Sequence, residues 1–317
     1  TPRRTCDEFP IGHQGHTPVT ASPAPSSAVA VVGPGGVGGY FAGHLAAAGR
    51  EVIACARRPF DRYLIDSDTH PLDHPATVLT DPAQVEGTVE WVLLAVKGHQ
   101  TEGAAGWLGA LCDENTQVLV VQNGIEHDRA APFVNGATII PTVVYCGAEL
   151  VAPGHVRHGG NGFLYVPTGA HEAELLALFE GSAAEVRPRD DFAEQQWRKL
   201  SINVVANGLT ALTGRPISVI GEPTLTPVAT AMMQECWAVA RADGADLDAD
   251  EAERLVGAMV AASGDTVTSM LQDTRAGRPT EHDAIQGALL RRAARHGVEV
   301  PTVAVVHALL AARSPDE

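Results

Sequence analysis

The sequence predicts two domains of different class, an α/β domain built on a doubly wound parallel sheet and then an all-α domain. Three observations carry this. Apolar runs without alternation mark strands buried on both faces at 28–32, 52–56, 89–96 and 118–121. The first run leads directly into Gly33, Gly35 and Gly38 in G-x-G-x-x-G spacing, and a helical segment closed by Gly49 follows. Beyond residue 188 apolar residues recur at helical spacing. The 317 residues suit two domains of about 150 each. They divide as 28–188 and 189–317. Residues 1–27 are rich in Pro, Ser, Thr and His and lack the apolar region of a secretory signal, so they read as a poorly ordered arm.

Strand 28–32, the helix and strand 52–56 form a βαβ unit of the Rossmann type. Gly33 permits the tight turn, Gly35 lets a pyrophosphate approach the backbone, and Gly38 lets helix and strand pack closely. Helix N-termini favour anions through unpaired N–H groups and the macrodipole, so the backbone of Gly33, Gly35, Gly36, Val37 and Gly38 is the expected cradle of a dinucleotide. The end of the second strand selects among dinucleotides. An acidic residue there suits a ribose 2′-hydroxyl, and Arg suits a 2′-phosphate. Arg57 and Arg58 stand at that place, with no carboxylate before Asp61. NADP(H) is the expected cofactor.

Residues 61–81 are polar and proline-rich, with a short strand expected at 76–79. Strand 89–96 ends in Lys97, a helix follows over 101–111, and strand 118–121 ends in Gln122-Asn123-Gly124. Ligands of open α/β sheets bind at the carboxyl ends of the strands, which makes Lys97 and Asn123 site candidates. A solvated lysine and a plain Asn-Gly turn are the alternatives. A strand is expected over 138–150, antiparallel edge strands over 155–166, a helix over 172–180, and an interdomain link over 186–191.

The formal net charge of −16 excludes nucleic acid or an anionic membrane as the main partner. No apolar run approaches the ~20 residues of a membrane span. Five scattered cysteines without C-x-x-C suit small core residues in a reducing, cytoplasmic compartment. Thirteen histidines show no metal-ligand spacing, so no metal is expected. A homodimer is allowed but not specified.

The expected helix 190–213 places Lys199, Asn203 and Asn207 four apart on one face, between apolar neighbours. One ammonium followed by two amides, partly desolvated, can donate a proton to an oxygen and orient a carbonyl. A polar helix seam is the bland reading of the same pattern. Farther on, Thr280 with Asp283 three residues later reads as a capping box, with Glu281 as a first-turn carboxylate.

Together these motifs resemble ketopantoate reductase (2-dehydropantoate 2-reductase): the glycine loop, Val96-Lys97, Gln122-Asn123-Gly124, Trp197-Arg198-Lys199 with Asn203 and Asn207, Ser269-Met-Leu-Gln-Asp273, Arg278-x-Thr-Glu281-x-Asp283, and His296-Gly297 with Pro301. They occur in the family's order from residue 28 to 301. The resemblance implies NADPH and a small 2-oxo acid in a cleft between the two domains, in pantothenate biosynthesis. It implies Lys199 as general acid, with Glu281 at the same centre holding the lysine and the substrate hydroxyls. It implies Asn123, Asn203, Asn207 and Ser269 as substrate-binding, and Arg57, Lys97 and Asn123 at the cofactor. Pro34, Thr266, His282 and Gln286 depart from the family pattern. They leave open a reductase of another small ketone, imine or 2-oxo acid. A dinucleotide-binding sensor without catalysis is the other alternative, and the presence of Lys199 and Glu281 speaks against it.

Overall fold

The structure is a computed structural model that describes residues 28–169, 171–248, 250–262 and 266–314. The expected N-terminal arm, 1–27, lies outside the described residues.

The chain opens with β1 (Val29–Val32), α1 (Gly36–Ala47) and β2 (Val52–Cys55), the expected βαβ unit. All four residues of β1 are buried, as a two-sided apolar strand requires. α1 ends as its sequence directs. Gly49 takes φ +85°, and the N–H groups of Gly49 and Arg50 bond back to the carbonyls of Ala46 and Leu45. There follow β3 (Arg62–Asp66), β4 (Leu72–Pro75), β5 (Thr77–Leu79), β6 (Trp91–Leu94), α2 (Ala105–Leu111), β7 (Gln117–Val120) and β8 (Thr138–Pro141). The first sheet runs β5-β2-β1-β6-β7-β8, parallel throughout. Its order reverses between β1 and β6, which places a ligand crevice at their carboxyl ends.

A second sheet is where the sequence expectations fail most. β9 (Val143–Ala152), β10 (His155–Pro167), α3 (Glu172–Phe179) and β11 (Glu185–Arg189) complete the first domain. The sheet runs β11-β10-β3-β4, with β9 also paired to β10. Segment 155–166 is therefore no edge: β10 pairs with β9, β3 and β11. The polar stretch after residue 61 hides β3, whose Tyr63 and Ile65 point inward while their neighbours face solvent. The expected link 186–191 is largely β11, an edge strand that tolerates Pro188. The single strand expected over 138–150 is two. The chain leaves the first sheet at Pro141, and the Thr142 hydroxyl donates to the Val120 carbonyl (2.8 Å) where it crosses to the second. α1 packs between the two sheets, its Tyr40, Phe41 and Leu45 buried in their shared core.

The second domain is helical: α4 (Phe192–Thr213), α5 (Thr226–Ala242), α6 (Glu251–Ala262), α7 (Ser269–Arg275), α8 (Ala288–His296) and α9 (Pro301–Arg313). α4 is its axis, with Leu200, Val204, Val205 and Leu209 inside a core shared with α5, α6, α8 and α9. It stops at Gly214, which is left-handed at φ +71°. The expected capping box at Thr280 does not form. Residues Asp283–Gly287 make one π-helical turn leading into α8, and the Thr280 hydroxyl meets His282 Nδ1 at 3.0 Å instead. Thr268 is the hydroxyl that caps a helix here, accepting from the Leu271 N–H of α7. Among the described residues no helix is long and apolar enough to cross a membrane.

Candidate active site

The glycine loop fits a dinucleotide by a steric criterion. Gly33 is left-handed at φ +88°, and a Cβ there would stand 2.6 Å from Val96 Cγ1. A Cβ on Gly38 would collide with the Gly33 carbonyl and approach Ala95 Cβ to 2.9 Å. These two glycines let loop, helix and β6 close on one another. Gly35 differs: a Cβ there would meet nothing within 4 Å, because this backbone faces open space. Gly35 is the N-cap of α1, so the N–H groups of Gly36, Val37 and Gly38 have no carbonyl one helical turn back. That is an anion cradle with room in front of it. Arg57 and Arg58, exposed just past β2, make no ion pair among the described residues.

At the carboxyl ends of β6 and β7, Lys97 and Asn123 face the helical domain across the crevice. The Lys97 ammonium pairs with Asp273 of α7 and lies 3.6 Å from Glu281 Oε2. Asn123 Nδ2 donates to the same Glu281 oxygen at 3.1 Å. Asn203 Nδ2 of α4 donates to Asn123 Oδ1 at 3.4 Å. Both carboxylates are buried, and Asp273 also accepts from Arg278 Nε at 2.9 Å. Buried carboxylates keep their charge only when paired in this way. The lysine that Glu281 meets here is therefore Lys97 and not Lys199.

Lys199 lies on the α4 face that also carries Asn203 and Asn207. Its ammonium sits over the Tyr145 ring of β9, 4.6 Å from the centroid. Burial holds its pKa below the ordinary lysine value. Asn207 is buried, and its Oδ1 accepts from the Met270 N–H at 3.4 Å, which orients the start of α7. Ser269, the first residue of α7, is exposed. Lys97, Asn123, Asn203, Glu281 and Asp273 are thus joined in one chain of contacts, with Asn207 fixing the neighbouring helix.

Residue usage contains a signal the motif reading missed. Of 22 basic residues only two are lysines, Lys97 and Lys199, and both lie at this crevice. Arginine serves every other cationic position. Guanidinium stays protonated at any ordinary pH, whereas an ammonium can be tuned by burial to give up a proton.

A second group of charges joins the domains at the rim. Arg291 of α8 holds Glu126 (Nη2 to Oε2, 2.6 Å) and Asp283 (Nη1 to Oδ1, 2.7 Å), and Arg129 bonds the same two carboxylates at 3.0 and 3.1 Å. Beside it the buried imidazole of His127 meets Gln196 of α4 at 3.2 Å, and burial pushes its pKa down to about 4. Two glycines set the approach: a Cβ on Gly98 would stand 2.9 Å from Ala284 Cβ, and one on Gly124 would collide with the Ala284 carbonyl. Nothing in residue spacing announced this joint, because its members come from four separate segments.

Among the described residues the departures from the family pattern make no side-chain bond to Lys97, Lys199 or Glu281. Gln286 is buried, donating to the Val204 carbonyl at 2.9 Å, and the His282 ring leans on His307 of α9 at 5.5 Å. Thr266 is exposed, and its carbonyl accepts from the Ile217 N–H. Pro34 sits between two glycines of the loop without disturbing the turn, which the Gly35 N–H closes onto the Gly33 carbonyl at 2.7 Å.

Comparison with known proteins points the same way. Residues 29–171 match the family model of ketopantoate reductase PanE/ApbA, and residues 191–314 match its C-terminal domain. A 2-dehydropantoate 2-reductase of Mycobacterium tuberculosis is 38% identical over 291 residues, covering 91% of this chain and 98% of the relative. One of Caulobacter vibrioides is 35% identical over 288 residues, covering 90% and 98%. The crystal structure of a PanE/ApbA family ketopantoate reductase from Ralstonia eutropha superposes with a TM-score of 0.83 at 32% identity, covering 90% of this chain and 98% of its own. The fold alone is shared more widely, for example with a D-mandelate dehydrogenase at 23% identity and a TM-score of 0.79. With both domains matched, and with the glycine cradle, the lysines and the buried carboxylates in one crevice, the chain belongs to the ketopantoate reductase PanE/ApbA family.

Proposed function

We propose that this protein reduces 2-dehydropantoate to pantoate with NADPH. The observation that carries the reading is Lys199, a half-buried lysine of lowered pKa on the α4 face that also carries Asn203 and Asn207, in a chain whose glycine loop leaves Gly35 facing open space. The family relation at 38% identity supports the substrate.

NADPH supplies the hydride that the keto carbon receives. The protein's part is binding, orientation and the proton. The N–H groups of Gly36, Val37 and Gly38 would hold the pyrophosphate, and Arg57 the 2′-phosphate. Lys199 would give its proton to the ketone oxygen as negative charge develops there, and burial makes its ammonium a better acid at neutral pH. Asn123 and Asn203, already bonded to each other, would orient the substrate between the strand ends and α4. Asn207 and Ser269 would bind its polar groups at the start of α7. Glu281 would accept from a substrate hydroxyl, and Lys97 would neutralise Glu281 and Asp273, with which it pairs. The free cysteines Cys55, Cys112, Cys146 and Cys236 suit a cytoplasmic enzyme.

The test is NADPH oxidation with ketopantoate and a panel of other 2-oxo acids and cyclic imines. Turnover confined to ketopantoate supports the assignment, and turnover of another member alone moves the enzyme to that substrate. Arg57→Ala should weaken NADPH by about tenfold or more, the scale of one charge-assisted contact, and leave NADH little changed. An unchanged preference for NADPH over NADH in that variant removes Arg57 from the 2′-phosphate.

A further inference from the structure

Among the described residues Lys199 makes no ion pair, and its ammonium sits over the face of Tyr145, 4.6 Å from the ring centroid. That distance lies inside the ~6 Å range in which a ring quadrupole attracts a cation. The ring is held firmly. Tyr145 of β9 stands opposite Phe163 of β10 and stacks on it at 5.0 Å and 22°. It meets Tyr165 edge-on at 5.3 Å. Arg187 lies over Phe163 at 3.8 Å and Arg189 over Tyr165 at 5.4 Å, so each of the three rings carries one cation. Arg189 in turn binds Asp191, the residue that opens α4.

We infer that Tyr145 is a positioning residue for the general acid, its ring face holding the Lys199 ammonium charged and in place until the substrate oxygen takes over the contact. The inference rests on the reductase reading above. A carboxylate in the same place would tie up the N–H donors and strengthen the hold on the proton. A ring face supports the charge weakly and leaves the donors free to turn toward an oxygen. Burial raises the pKa of Tyr145, with Tyr165 adding to it, so the phenol stays neutral and offers a ring, not an anion. The other charged and titratable groups around this face of α4 are engaged or neutral. Asp273 of α7 and Glu281 hold Lys97 and, for Asp273, Arg278. Arg198, next along α4, is paired with Glu251. Cys146 of β9 and Cys236 of α5 are kept as thiols by burial, and His307 of α9 faces His282. Among the described residues no carboxylate counteracts the effect of burial on Lys199. The ring is what remains to favour its charged form.

The experiment uses Tyr145→Leu, Tyr145→Phe, and a series with phenylalanine, difluorophenylalanine and trifluorophenylalanine at that position, which drains the ring quadrupole while keeping its shape. Two readouts report on Lys199. One is the basic limb of kcat against pH for ketopantoate reduction, where the acid loses its proton. The other is the titration of its ammonium by NMR, where lysine-selective labelling gives only two side-chain signals and Lys97→Arg assigns them. Loss of the ring disfavours the charged form, so both midpoints should fall by about half to one and a half pH units in Tyr145→Leu. They should step down with fluorination and stay in place in Tyr145→Phe. Unmoved midpoints in Tyr145→Leu, or in the trifluoro variant should the leucine variant fail to fold, overturn the inference. Should the wild type reduce no ketopantoate, the reductase reading fails by itself, and the NMR titration still decides the role of Tyr145.

Discussion

Lys199→Ala is expected to lower kcat for ketopantoate reduction by at least the roughly 10²-fold typical of losing an acid–base group, while NADPH binds with its affinity little changed. The ammonium lies on the α4 face of the crevice, and the glycine cradle belongs to the other domain. Its removal should therefore leave the cofactor contacts standing. Fold should also survive, because an ammonium without an ion pair leaves no buried carboxylate unsatisfied when it is deleted. Lys199→Arg sharpens the test. It keeps the positive charge and a cation for the Tyr145 face, but a guanidinium does not release its proton near neutrality. If charge alone were needed, arginine would restore activity. If proton donation is needed, arginine should be nearly as slow as alanine. Near-normal turnover in Lys199→Ala would move the acid elsewhere. Lys97, the other lysine, is then the group to test, since it is already at the Glu281 carboxylate.

The second large effect is at the glycine loop, where two neighbouring substitutions should separate folding from binding. Gly38→Ala drives a methyl against the Gly33 carbonyl and Ala95 Cβ, which are fixed parts of the βαβ unit. Overpacking typically costs about 1–3 kcal/mol, and rigid backbone on the receiving side argues for the upper end. The expected result is a lower Tm, read by thermal unfolding, a loss of stability rather than of the contacts the loop makes. Gly35→Ala meets no protein atom within 4 Å. Its methyl occupies only the space in front of the helix N-terminus. Stability should stay within about 0.5 kcal/mol of wild type while NADPH binding weakens. Equal NADPH affinity in Gly35→Ala and wild type, by fluorescence titration, would place the pyrophosphate somewhere else.

The way the two domains meet explains why the lysines differ in environment. Lys97 is drawn across the crevice by two buried carboxylates, and Arg129 and Arg291 tie Glu126 to Asp283 beside it. The contact between the domains is therefore largely charge pairing, with the small residues Gly98, Gly124 and Ala284 at the closest approach. Lys199 is left outside that network, over the Tyr145 ring.

The βαβ unit with its glycines, the strand ends carrying Lys97 and Asn123, and the face of α4 with Lys199, Asn203 and Asn207 were legible from the chain alone. Each depends on contacts within a few residues: the period of apolar positions, the φ that only glycine tolerates, the four-residue spacing of a helix. The second sheet was not legible. β3 is five residues of polar-looking alternation, and β11 contains a proline; both become strands only because β10 lies between them. Nor could the chain alone say that Glu281 meets Lys97 and not Lys199, that Asp273 shares the same ammonium, or that Lys199 rests on Tyr145. These are pairings between residues 54 to 184 positions apart. Local sequence determined the elements and the chemistry each one presents; the choice of partner among those groups belonged to tertiary packing, because only packing sets which charges lose water together.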